Sequence, residues 1–76
     1  MKSKPIKLLE ELEESQKKVL LALGRRIVPN LTPDDILQPN DFLELETHPE
    51  FRYEEGVLAG ILQAKAAILC EECQSL

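Results

Sequence analysis

Between Gly56 and Cys70 the only polar residues are Gln63 and Lys65; every other side chain is aliphatic, a thiol or no larger than a methyl group. Wound as a helix at about 100° per residue, this run points apolar or tiny side chains in nearly every direction. A helix that is apolar almost all round has to be buried on more than one side. The run is shorter than the ~20 residues a membrane span requires, and its two polar residues interrupt it, so the sequence predicts protein rather than lipid as its cover.

Phe42, Phe51 and Tyr53 are the only large aromatic residues, and the core must be made mainly from Leu, Ile, Val and Ala. That mixture favours packed helices over a sheet. At 76 residues the chain is one domain, and a single core of that size is marginal without a metal, disulfides or a partner subunit.

The first helix is predicted over about residues 5–28, capped near Ser3 or Lys4, with Pro5 early, where a missing N–H costs nothing. Leu8, Leu9, Leu12, Val19, Leu20, Leu23 and Ile27 fall on one stripe with Gln16 in its middle. Glu13 with Lys17 and Glu14 with Lys18 are favourable pairs four residues apart. Arg25 and Arg26 suit the negative end of the helix dipole, and Pro29 stops the helix.

The connection, residues 29–48, is far longer than the roughly 2–8 residues that join adjacent helices. It contains a pattern repeated once, Thr32-Pro-Asp-Asp-Ile-Leu37 and Gln38-Pro-Asn-Asp-Phe-Leu43, read here as two short helical turns. Ile36, Leu37, Phe42, Leu43 and Leu45 are spaced to fold back as a lid over the open side of a helical hairpin. The second helix, about residues 48–73, is announced by Thr47-His-Pro-Glu50, which reads as a capping box with Pro in the first turn.

One amphipathic partner covers only a stripe of this second helix, and a second copy of the chain would cover more. The expected architecture is therefore an all-α helical hairpin assembled as a homodimer, a four-helix arrangement. Gly56, Gly60 and Ala64 form a smooth ridge and Ala59, Gln63 and Ala67 a second. The expected interaction surface is Gly56, Val57, Gly60, Ile61, Ala64, Ala67 and Ile68, and a Gly60→Leu substitution is expected to disrupt assembly if the ridge is a contact.

The net charge is −5, with residues 1–28 carrying +3 and residues 29–76 carrying −8. This balance argues against binding nucleic acid or anionic lipid, which needs clustered Lys and Arg; Lys2, Lys4 and Lys7 are too few. Acidic residues interrupt the first segment before any apolar stretch of secretory length, which reads as a cytoplasmic protein.

Cys70-Glu-Glu-Cys73 is the one motif with chemical potential, since helical spacing makes the thiols neighbours able to share a soft metal. Two ligands do not complete a site, and a redox CxxC belongs at a helix N-terminus, where the dipole favours thiolate. Cys70 and Cys73 are thus weak metal candidates beside the reading as ordinary reduced thiols. His48, the sole histidine, has no neighbouring nucleophile and fits a capping turn. Asp34, Asp35, Asn40, Asp41, Glu44 and Glu46 lack the spacing and the glycine of a calcium loop. Arg25, Arg26 and Arg52 could gather around an anion if the helix ends adjoin, but pairing with nearby carboxylates is the commoner fate. Glu54 and Glu55 read as solvated or ion-paired rather than as an acid/base couple, and no Gly-rich phosphate loop is present.

The expectation is no catalytic residue and no cofactor. The role expected is that of a small cytoplasmic, self-associating adaptor or regulator acting by protein interaction. Two alternatives are a subunit or chaperone of a hetero-complex, whose second helix covers a partner's helix, and a metal- or redox-responsive protein using Cys70 and Cys73.

Overall fold

The computed structural model describes residues 2–38 and 41–74. Helix α1 spans Lys4–Ile27, a 3-10 turn spans Asp35–Leu37, the single-turn helix α2 spans Leu43–Glu46, and α3 spans Pro49–Gln74. Among the described residues there is no strand, and α1 and α3 pack antiparallel as an all-α helical hairpin.

Helix α1 starts as its sequence directs: the Ser3 hydroxyl accepts the Ile6 N–H at 3.4 Å, and Pro5 lies in the first turn. At its other end the Val28 N–H donates to the Gly24 carbonyl at 2.7 Å before Pro29 stops the helix. The chain then doubles back. Arg25 Nε donates to the Leu31 carbonyl at 2.9 Å, which draws Leu31 across the end of α1 and buries it. Gly24 makes room for that crossing, because a Cβ there would collide with the Leu31 methyl and meet the Phe51 ring at 3.4 Å.

In the connection, Thr32 and Asp35 cap each other: Thr32 N–H donates to Asp35 Oδ2 at 2.9 Å, and Asp35 N–H to Thr32 Oγ1 at 3.3 Å. This sets the 3-10 turn and turns Ile36 inward. The second repeat also turns: Asp41 is in 3-10 conformation, its N–H donating to the Gln38 carbonyl at 3.3 Å, and α2 begins at Leu43, where that repeat ends; Pro39 and Asn40 lie outside the described residues. The lid forms in part. Ile36 and Leu45 are buried and Phe42 half-buried, while Leu37 and Leu43 face solvent.

The start of α3 is built differently from the expected capping box. Thr47 Oγ1 donates to the Leu43 carbonyl at 3.0 Å, closing α2 rather than opening α3. The cap is His48, whose Nδ1 accepts the Phe51 N–H at 3.4 Å. With Pro49 as the first helical residue, position 48 is the only one whose side chain reaches the N–H three residues on, and Thr47 is one residue too early.

Leu20, Leu23, Leu31, Ile36, Leu45, Phe51 and Leu58 form one buried cluster. All of them lie toward the loop end of the hairpin. Farther out Ile6 is buried and Leu9, Ile61 and Ile68 are half-buried, and polar contacts join the helices there: Gln16 Nε2 donates to the Glu54 carbonyl at 2.9 Å and to Glu54 Oε1 at 3.0 Å, and Lys65 Nζ reaches Glu13 Oε1 at 2.6 Å. No helix among the described residues is long and apolar enough to cross a membrane.

Candidate functional site

Three members of the predicted core stripe are not in the core. Leu8 and Leu12 are each 53% exposed and Val19 is 42% exposed, whereas Leu20 and Leu23 are buried and Leu9 and Ile27 half-buried. The stripe is wider than the strip that α3 can cover, so its edge is left over. Ile6 and Gly24, which the stripe omits, are buried instead, because the true line of contact is rotated toward them.

The leftover edge of α1 lies beside a similar edge of α3. Val19 and Arg26 are seven residues apart, as are Glu50 and Val57, and two helical turns return each pair to one side of its helix. Arg26 and Glu50 form an ion pair at 3.8 Å, so the side bearing Val19, Leu12 and Leu8 adjoins the side bearing Val57, Ile61, Ala64 and Ile68. Gln16 and Glu54 bridge the same seam. The opposite sides of both helices face the 3-10 turn. There Leu21, Pro33, Ile36 and Leu37 line one groove, and Leu20, Leu37, Leu58, Ala59 and Leu62 line another. The connection thus covers part of one face of the hairpin and leaves the other bare.

The outward positions of the bare face, Leu8, Leu12 and Val19 on α1 and Tyr53, Val57, Ile61, Ala64 and Ile68 on α3, carry no charge, and the Glu54 carboxylate at the seam is half-buried and held by Gln16 Nε2 at 3.0 Å. Of the residues expected at the interaction surface, Val57, Ile61 and Ile68 are half-buried at the seam, and Ala64 is exposed beside them. Gly56, Gly60 and Ala67 are exposed farther round α3. A Cβ placed on Gly56 or Gly60 would find nothing within 4 Å, so neither glycine serves a contact inside the chain. Tyr53, 71% exposed, belongs to the bare face, and neither it nor Leu8, Leu12 and Val19 were expected there from sequence. Their signal was present in the heptad-like spacing 8, 12, 19, which matches the 57, 61, 64, 68 spacing on α3.

Across the hairpin, Glu13 sits between two lysines, with Lys17 Nζ at 2.9 Å and Lys65 Nζ at 2.6 Å. The hydrogen bond from Lys65, then that from Lys17, hold the Glu13 carboxyl below its ordinary pKa, and the bond to Glu13 raises that of Lys65. One carboxylate is shared by two ammonium groups, one from each helix, which makes the trio a clamp between the helices.

The chemistry candidates are dispersed. Cys70 and Cys73 are exposed on the last turns of α3 and form no disulfide. Among the described residues no three His, Cys, Asp or Glu side chains are grouped to hold a metal ion. Of the acidic loop residues, Asp35 is engaged in capping, and Asn40 lies outside the described residues. His48 caps α3. The arginines do not converge: Arg25 bonds the Leu31 carbonyl, Arg26 pairs with Glu50, and Arg52 with Glu55 at 3.7 Å. No family model, no curated protein and no solved structure matches this chain.

Proposed function

We propose that this chain is a self-associating helical protein that acts by protein interaction, as a small cytoplasmic adaptor or regulator, and that the bare two-helix face is where its homodimer forms. The observation that carries this reading is the uncharged surface running along both helices, with Leu8, Leu12, Val19 and Tyr53 at its exposed positions. Single exposed apolar residues are ordinary, but a contiguous apolar strip on so small a chain marks a binding surface.

Size points the same way. A compact 8.6 kDa monomer has about 4,700 Å² of accessible surface, and this chain has 5527 Å². Its radius of gyration is 14.4 Å, against about 11 Å for a compact 76-residue domain. The excess, of order 800 Å², is what one partner buries in a standard interface. Association through the bare face would leave the grooves beside the 3-10 turn open on each copy, which suits an adaptor.

Leu12→Glu tests the reading. Leu12 is half in solvent within the single chain, so the helical circular dichroism signal should be preserved. A charge placed twice in the interface should weaken dimerisation by roughly a hundredfold in sedimentation equilibrium. A wild-type protein that stays monomeric at high concentration would overturn the proposal.

A further inference from the structure

We infer that the second copy docks on the bare face turned end for end, with the two-fold axis perpendicular to the helices, so that α3 lies antiparallel on the partner's α3 and α1 on the partner's α1. The inference rests on the self-association proposed above and adds its geometry.

A two-fold axis lying across the helices has to cross α1 and α3 at one height. On α1 the exposed apolar positions run from Leu8 to Val19, and their midpoint falls between Glu13 and Glu14. On α3 the bare-face positions run from Tyr53 to Ile68, and their midpoint falls between Gly60 and Ile61. Within the hairpin, the contacts Gln16 to Glu54 and Glu13 to Lys65 bracket that level on both helices, which brings the two midpoints to about the same height. One axis therefore serves both helices. It sets Tyr53 against the partner's Ile68, Val57 against the partner's Ala64, and Ile61 close to the partner's Ile61. On the other helix it sets Leu8 against the partner's Val19. Large side chains meet medium or small ones between Tyr53 and Ile68, and the same register sets Glu50 level with the partner's Glu71 just beyond each end of the strip.

Charge selects this arrangement over the alternative, in which the axis runs along the helices and the two loop ends lie side by side. Residues 25–55 hold eight acidic and three basic side chains, which is the whole net charge of −5, and the rest of the chain is neutral. Side-by-side docking would bring two such ends to about one helix diameter, ~10 Å, close to the Debye length of about 8 Å at physiological salt, and they would repel. Turning one copy round places each acidic end against a neutral one.

The arrangement also bears on the thiols. Cys70 would lie about 28 Å along the axis from the partner's Cys70, from about 1.5 Å of rise per residue, too far for a shared metal or disulfide within the dimer.

Sedimentation of the full chain combined with pulsed electron resonance tests the geometry. A spin label is attached at Leu43→Cys, 68% exposed at the loop end, with Cys70→Ser and Cys73→Ser removing the other thiols. A dimer whose labels are separated by a distance comparable with the 45 Å length of the molecule supports the inference. A dimer with labels about 20 Å apart, two helix diameters, overturns it while leaving self-association standing. A strictly monomeric labelled chain overturns both.

Discussion

Gly24 is the residue on which the loop end turns. It sits in the last turn of α1, where glycine costs up to about 1 kcal/mol relative to Ala. The structure shows what the cost serves: Leu31 lies where a Cβ would be. We expect Gly24→Ala to lower stability by about 1–3 kcal/mol through overpacking, despite its better helix propensity, read from the urea midpoint. A second expectation at this scale concerns Glu13 and Lys65. The folded pKa of Glu13 is lowered, so its contribution to stability is present above the usual carboxylate range and fades as pH falls through the folded value. That of Lys65 is raised, so its contribution holds below the usual lysine range and fades as pH rises through the folded value. Lys65→Met should therefore flatten both the acid and the alkaline limbs of the melting temperature against pH, with little loss of helix content. Neither role was legible in sequence. The Glu13 to Lys17 spacing was, but Lys65 is 52 residues away from Glu13 and only the hairpin register joins them.

At the scale of elements, the long helices and the structured connection follow from local chemistry, and they are legible for that reason. Ser3 and Pro5 start α1, Pro29 ends it, and Pro49 starts α3 within a residue of where periodicity and capping residues place it. Caps are finer than that. Whether Thr47 or His48 closes the end of α3 depends on α2, a single turn whose Leu43 carbonyl captures the threonine hydroxyl. We expect His48→Ala to cost roughly 0.5–2 kcal/mol and His48→Asn, which keeps an acceptor within reach, to restore most of it in thermal melts. Gly60 offers a contrast with Gly24. Nothing lies within 4 Å of its missing side chain, so Gly60→Ala should stabilise the chain by up to about 1 kcal/mol. If that variant also keeps the dimer intact, Gly60 borders the interface and the centre lies at Val57, Ile61 and Ile68.

At the scale of the whole molecule, the hairpin measures 45 × 17 × 17 Å, with its buried cluster confined to one end. Such a shape gains most from a partner laid along its length, and a dimer would make the melting temperature rise with protein concentration. A concentration-independent melt would count against association through the bare face. From sequence alone came the all-α class, the two helices, the folded connection and the demand of the Gly56 to Cys70 run for cover on more than one side. These depend on period, capping chemistry and composition, which are properties of neighbouring residues. Tertiary packing decided which stripe of α1 is core and which is spare, since Leu8, Leu12 and Val19 are as apolar as Leu20 and Leu23. Only the angle at which α3 meets α1, and the side on which the connection lies, separates the buried from the bare.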